Sequence, residues 1–373
     1  MSDHTGRPAI KGPRPGLRQA EPYRSPQRPV EVRLNTNECP YPLPDGFVRD
    51  LQATVAAASL NRYPDWEATE LRTMLAERTG WSVNGIVLAN GSNEIIQQLV
   101  LAYGGPGRRA VTFEPTYPLY SRLAWVGHTE VVHVPVEAPF AITADHVEQA
   151  IAADPDVVFV CSPNNPTGNA QPPEVMEALA ASGTLVVVDE AYIEFGGKSS
   201  AAVAEQHPNV AVLRTFSKAF ALAGARLGYG LVSEEVAGDI KRVRLPYHVS
   251  SLTQAAGLAA LRHAHEAMEI LDAVRHQRDR LSESLSSMPG LEVFPSDANF
   301  VLFRTPLPPA RVWEALVDRG VLIRDLSMVV PGSLRVTAGT PEEVDRFLAA
   351  FEEVLRTVEP ESGAGGADAT ESW

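Results

Sequence analysis

Cysteine is nearly absent from this chain: Cys39 and Cys161 are the two that its 373 residues contain. That scarcity excludes a disulfide framework and a thiolate metal cluster, and makes a reducing cytoplasm the expected setting. Long apolar runs are missing too; none approaches the roughly 18 residues of a membrane-spanning helix. The N-terminal stretch carries Arg and Pro without an apolar signal core, so no secretion signal is expected. Basic residues are outnumbered, 32 Lys and Arg against 46 Asp and Glu, for a formal net charge of −14. This balance argues against nucleic acid as the main partner, yet leaves small anionic ligands open, since a few inward-facing arginines set the local field. No internal repeat is visible.

What remains is a chain of 45% hydrophobic and 21% charged residues, the profile of a soluble globular protein large enough for one large or two medium domains. Apolar runs at Ile86–Ala89, Ala110–Phe113, Val131–Val134, Val157–Cys161, Leu185–Val188, Val210–Leu213 and Leu227–Val232 read as strands. Several are apolar on consecutive residues, as when helices cover both faces of a sheet. Helical patterns at Asn93–Tyr103, Pro173–Ala181 and Ser233–Val243 alternate with them. The expected fold class is therefore α/β, with a mainly parallel seven-stranded sheet in a large domain. One long helical stretch, about Thr253 to Met288, follows. A strand, helix, strand, helix pattern (Asn299–Phe303, Pro309–Arg319, Ser333–Val336, Pro341–Leu355) then suggests a smaller α+β domain. The expected divisions are a flexible arm (1–29), a segment of arm or small domain (30–62), the large domain (63–262), the small domain (263–358) and a disordered acidic tail (359–373).

In an open α/β sheet, ligands gather beyond the carboxyl ends of the strands. Near the middle of the chain, Val210–Leu213 delivers Arg214-Thr215-Phe216-Ser217-Lys218, and Arg226 follows. A lysine held half out of water loses stability as ammonium and becomes an amine nucleophile. Thr215, Ser217 and Arg226 combine hydroxyls with a guanidinium, a set that grips phosphate. A reactive lysine beside a phosphate cradle points to pyridoxal phosphate held as a Schiff base. After Ile86–Ala89 comes Asn90-Gly91-Ser92-Asn93, opening a helix whose free N–H groups favour an anion, unless Ser92 or Asn93 caps them. Tyr117, between Pro115 and Pro118, can show a rigid ring face to a flat ligand. Asn164 and Asn165 sit in a proline-bounded loop that fixes an amide side chain. Asp189 ends a buried strand and needs a cation, which a pyridinium nitrogen would supply; Tyr192 lies three residues on.

Other chemistries fit poorly. Gly224 to Gly230 is not a G-x-G-x-x-G run opening a helix, which disfavours a dehydrogenase. Gly197-Lys198-Ser199 ends like a P-loop, but Tyr192 stands at its first glycine. His265-Glu266 begins a zinc-protease pattern that Glu269 breaks.

Asn165-Pro166-Thr167-Gly168, Asp189-Glu190-Ala191-Tyr192 and Ser217-Lys218 with Arg226 resemble the aspartate-aminotransferase-like pyridoxal-phosphate (PLP) enzymes of fold type I. The resemblance spans nearly the whole chain between arm and tail. More narrowly, Leu34-Asn35-Thr36-Asn37-Glu38, Arg62-Tyr63-Pro64-Asp65, Glu190 to Phe195 and Leu334 to Thr340 are similar to the histidinol-phosphate aminotransferase family. The resemblance implies Lys218 as the Schiff-base lysine and Asp189 as partner of the ring nitrogen. It implies Asn165 and Tyr192 on the ring's O3′ and Tyr117 stacked on the ring. Ser92, Asn93, Thr215, Ser217 and Arg226 would take the phosphate, joined by Tyr63 from the partner subunit of a homodimer. Arg335 would bind the substrate's anionic group, with Arg324, Tyr23 and Asn37 as further substrate contacts. One departure is Cys39, where the family usually has a second asparagine before proline.

The activity so implied is transfer of an amino group from a small donor to 2-oxoglutarate, with Lys218 moving the proton. Histidinol phosphate is the donor that the narrower resemblance implies, which would place the enzyme in histidine biosynthesis. Aromatic amino acid aminotransferases and threonine-phosphate decarboxylases share most of these motifs, and a non-catalytic PLP-binding protein stays open. No metal is expected.

Overall fold

The structure, a computed structural model, describes residues 12–14, 16–18, 22 and 26–358. Most of the arm expected over 1–29, and the whole of the tail expected over 359–373, lie outside the described residues. The elements open with β1 (Val32–Arg33), α1 (Asp45–Ala57) and α2 (Thr69–Thr79). Strands and helices then alternate: β2 (Ile86–Ala89), α3 (Ser92–Tyr103), β3 (Arg109–Glu114), α4 (Leu119–Val126), β4 (Glu130–Pro135), α5 (Ala144–Ala152) and β5 (Val157–Cys161). The series continues through α6 (Pro173–Ala180), β6 (Leu185–Asp189), α7 (Ala201–Gln206), β7 (Val210–Thr215), β8 (Gly228–Leu231) and α8 (Glu234–Val243).

These strands form a seven-stranded sheet in the order β2-β8-β7-β6-β5-β3-β4. Only β8 runs antiparallel to its neighbours. Every residue of β5 and β6 is buried, because alternate side chains feed two cores on opposite faces. Val158, Val160, Val186 and Val188 enter one core; Val157, Phe159, Leu185 and Val187 enter the other. Doubly covered strands need no polar alternate, which is why they read as unbroken apolar runs. The register sets Cys161 beside Asp189 and Asp189 beside Leu213. The loops that follow β5, β6 and β7 therefore leave from one level edge.

Helix α9 (Ser251–Arg262) and helix α10 (Ala264–Ser286) replace the single helix expected over Thr253–Met288. The chain breaks at His263, whose φ of −103° and ψ of 23° are not helical. Ala255 to Leu261 are all buried, whereas α10 buries only one stripe, so the two helices answer to different surroundings. No proline or glycine marks the turn.

The rest of the chain comprises β9 (Glu292–Val293), β10 (Phe300–Arg304), α11 (Pro309–Asp318), β11 (Val321–Leu322), β12 (Arg324–Asp325), β13 (Ser333–Thr337) and α12 (Pro341–Thr357). A four-stranded antiparallel sheet has the order β12-β13-β10-β9, while β11 pairs in parallel with β1. A capping box between Thr340 and Glu343, with Pro341 in the first turn, starts α12. Its Phe347 and Phe351 pack with Phe303 of β10.

One buried ion pair clamps the edge that carries the strand-end loops. Glu190, fully buried, accepts from Arg214 Nε at 3.0 Å, Ser199 Oγ at 3.0 Å and the Ser200 N–H at 2.5 Å. Glu190 also donates its own N–H to Leu213 O at 2.8 Å, so β6 and β7 are tied just past Asp189. Removing one partner strands a buried charge. Arg214→Met is expected to cost about 3–5 kcal/mol, read as a lowered urea midpoint.

Candidate active site

Asp189 ends β6 almost wholly buried. Tyr120 of α4 donates its hydroxyl to Asp189 Oδ2 at 2.8 Å, and the Ala191 N–H donates to Oδ1 at 3.1 Å. The Tyr120 ring is held in place by stacking on Phe159, 5.1 Å between centroids. Burial pushes the Asp189 carboxyl up to about 6, against the pull of these two donors. Both recorded hydrogen-bond partners are neutral; a cation facing this carboxylate would be strongly favoured.

A second part of the edge is built for an anion. Helix α3 begins at Ser92 with Gly91 at its N-cap, φ 84°, and no side chain caps the helix. Neither Ser92 nor Asn93 therefore consumes the terminal N–H groups, and the positive helix end faces outward. A Cβ on Gly91 would stand 2.6 Å from Arg226 Nη2, and one on Gly228 would stand 2.3 Å from the Ser92 nitrogen. The glycines thus let a guanidinium and a helix N-terminus share one concavity. Arg226, at φ 52°, donates to Ser217 Oγ at 3.2 Å and to Ala223 O at 3.0 Å. Thr215 Oγ1 donates to Ser217 Oγ at 2.9 Å. Hydroxyls, guanidinium and backbone N–H groups converge, the donor set of a phosphate site.

Between these parts stands Lys218. Its Nζ donates to the carbonyls of Asn37 at 2.8 Å and Thr36 at 3.2 Å, and lies 5.6 Å from the centre of the Tyr192 ring. Burial, reinforced by the positive charge of Arg335 and Arg226, lowers its ammonium to about 8. A large neutral fraction near pH 8 is what a nucleophilic amine needs. Burial raises the Tyr192 phenol well above its ordinary value. Asn37 Nδ2 donates to that phenol oxygen at 3.0 Å.

The small sheet closes the far side. Arg335 of β13 is buried, donates to Asn165 Oδ1, and donates to Asn35 O at 3.1 Å. Its guanidinium carbon sits 4.9 Å from the centre of the Phe300 ring. Directly across the strand pair is Arg324. Like charges at opposed positions are destabilising, so this pair makes sense where an anion lies between them. Tyr117 stands edge-on to Tyr120 at 5.6 Å, and Asn93 Nδ2 donates to its hydroxyl at 3.4 Å.

The strand-end loops, the start of α3, β12 and β13 line one cavity of about 400 Å³, within the roughly 300–1,000 Å³ of small-molecule sites. Ser92, Asn93, Tyr117, Asn165, Asp189, Tyr192, Thr215, Ser217, Lys218, Arg226, Arg324, Arg335 and Asn37 are brought together there. Tyr63 is not: it is 80% exposed and stacks on Tyr247 at 4.5 Å. Tyr23 lies outside the described residues. Sequence reasoning missed Tyr120, Leu326 and Val329; the last two line the mouth. Tyr120 carried a weak signal, standing one helical turn after Tyr117. Among the described residues no cluster could hold a metal ion, and no helix is long and apolar enough to cross a membrane.

The arrangement around this concavity suits a PLP-dependent aminotransferase, and the family comparison shows that class. Residues 29–351 match the family described as aminotransferase class I and II, and the chain belongs to it. A histidinol-phosphate aminotransferase of Frankia casuarinae is 47% identical over 92% of this chain and 90% of its own length. One from Thermobifida fusca is 47% identical over 96% of this chain and 99% of its own. The solved histidinol-phosphate aminotransferase of Sinorhizobium meliloti, in complex with pyridoxal-5′-phosphate, superimposes with a TM-score of 0.81. It is 26% identical, and the match covers 92% of this chain and 97% of that one. The chain is thus an α/β enzyme of the aspartate-aminotransferase-like fold type I, as the motifs implied.

The raised Asp189 carboxyl has a consequence for stability. Its folded value of about 6 exceeds the ordinary 3.8, so its contribution is full below about pH 4 and is lost as pH rises through 6. In cofactor-stripped protein, Asp189→Asn should therefore be more stable than the parent at pH 7.5, by at most about 3 kcal/mol. The gap should close below pH 4. Calorimetry at both pH values checks the sign.

Proposed function

We propose that this chain transfers the amino group of histidinol phosphate to 2-oxoglutarate, a step of histidine biosynthesis, as a homodimer in the cytoplasm. The observation that carries the reading is the opposed Arg324 and Arg335 on the wall facing Lys218. Two guanidiniums suit a donor with a phosphate, and the relatives above carry that donor in their names.

Lys218 Nζ is the amine that would hold the cofactor, and as a free amine it would move the proton from the substrate's amine-bearing carbon. Positioned proton transfer of this kind contributes about 10²- to 10⁴-fold. Asp189 would keep a ring nitrogen facing it protonated, because a cation relieves the burial of its carboxylate. PLP, when bound, supplies the electron sink for the carbanion. Asn165 and Tyr192 would hold the ring's O3′, and Tyr117 would cover a ring face. The α3 N-terminus at Ser92 and Asn93, with Thr215, Ser217 and Arg226, would bind the phosphate of the cofactor. Arg335, aided by Arg324, Asn37 and Tyr23, takes the substrate's anion. The same arginine serves the α-carboxylate of glutamate, since planar donors bind two oxygens of either anion.

The exposed rings of Tyr63 and Tyr247, beside the exposed Leu60 and Leu245, favour a second copy seated on that face. Tyr63 would then reach the partner's cofactor phosphate. We also propose a large domain of residues 63–262 and a small one of 263–358, which 30–62 joins through the pairing of β1 with β11.

Single-turnover spectra of the PLP form with histidinol phosphate, phenylalanine and tyrosine test the donor; histidinol phosphate should react fastest. Faster reaction with the aromatic amino acids, or release of carbon dioxide without acceptor, would overturn the reading. Lys218→Ala should abolish turnover, and borohydride reduction should tag Lys218. Arg335→Ala should raise KM for donor and acceptor alike, each about tenfold or more, as for loss of a charge-assisted bond. A loss confined to one of them would refute shared use.

A further inference from the structure

Thr337, the last residue of β13, is buried and lies outside the cavity lining. Its hydroxyl accepts the backbone N–H of Asn37 at 3.1 Å and donates to Asn37 Oδ1 at 3.0 Å. The other end of the same amide, Nδ2, donates to the Tyr192 hydroxyl at 3.0 Å. Asn37 cannot easily rotate away. Its backbone is held at φ 56°, and its carbonyl accepts from Lys218 Nζ and from Asn299 Nδ2 at 3.2 Å. Two orientations of the amide fit this space, and they differ in the direction of every proton along the row.

With Oδ1 toward Thr337, each donor has an acceptor, and the phenol oxygen of Tyr192 accepts from Asn37 while keeping its own proton for the cavity. With the amide reversed, Thr337 Oγ1 would accept twice. Its hydroxyl proton would then be buried without an acceptor among the described residues, and Tyr192 would spend its proton on Asn37. A stranded buried donor is the costlier state. We infer that Thr337 is a positioning residue that fixes the orientation of the Asn37 amide and thereby aims the Tyr192 proton into the cavity. The inference rests on the proposed place of Tyr192 beside the cofactor's O3′.

A donor aimed at that oxygen stabilises its anionic form, so removing the donor moves the pH midpoint of the holoenzyme's visible absorbance upward. The charged and titratable groups facing the phenol are Arg335, Cys161 and Tyr117, with Lys218 near the ring face. None is altered by the substitutions used.

Spectrophotometric pH titration of holoenzyme tests the inference. Tyr192→Phe should raise the midpoint by about one pH unit, roughly a tenfold change in proton affinity. Thr337→Val, which keeps the shape and removes the hydroxyl, should raise it similarly; Thr337→Ser should leave it at the parent value. The double variant Thr337→Val, Tyr192→Phe should shift no further than Tyr192→Phe alone. Thr337→Ala, which also removes the hydroxyl and leaves the charges unchanged, serves as a second route should the valine variant fail to fold, and the midpoint should again rise. No shift in Tyr192→Phe would overturn the placement of Tyr192 itself. A normal shift there, with an unmoved midpoint in Thr337→Val or Thr337→Ala, would overturn the role of Thr337 alone, as would additive shifts in the double variant or an equal shift in Thr337→Ser.

Discussion

A carboxylate buried at a strand end, satisfied by neutral donors, is the constraint on which the rest of this molecule turns. Asp189 can be there because β6 is buried on both faces and because Tyr120 and the Ala191 N–H accept the task of holding it. The carboxyl still titrates high, at about 6, which means that the surroundings undersolvate its charge. Such a site has a standing preference for a cationic ring nitrogen. The buried Glu190–Arg214 pair keeps the adjoining backbone from relaxing toward water. Folding stability is thus given up locally and recovered as affinity for a ligand of one charge pattern.

The same logic organises the opposite wall. Arg335 and Arg324 face each other across two strands, an arrangement that a sheet without a ligand would avoid. Between the carboxylate on one side and the guanidiniums on the other lies Lys218, lowered to about 8 mainly by burial and next by the charge of Arg335. The wall that receives the substrate anion therefore also helps to keep the amine neutral.

Much of this was legible in the sequence, and the reasons are physical. Val157–Cys161 and Leu185–Val188 showed themselves as strands because doubly covered strands need no polar alternate. Asp189, Lys218 and Arg226 stood out because charged groups at the ends of such strands need a purpose. Helices α1 and α4 did not show: each starts after a proline with no side-chain cap, so packing rather than local signal forms them. The reversed direction of β8 was hidden, since an apolar run has no arrow. Tyr120 and Thr337 were hidden for another reason. They act on residues 69 and 300 positions away, and no local pattern reports a contact that long. Tyr63 was singled out by its motif alone, and a single chain leaves it in solvent.

That last separation has a bearing on how the protein is made. Asn37 leaves the ribosome early, but the threonine that sets its amide is synthesised 300 residues later. Tyr192 and Lys218, on the loops after β6 and β7, wait on β13 for the contact that sets the Asn37 amide beside them. The hydrogen-bond row of the site is therefore closed by a strand of the small sheet, synthesised after every strand of the large one.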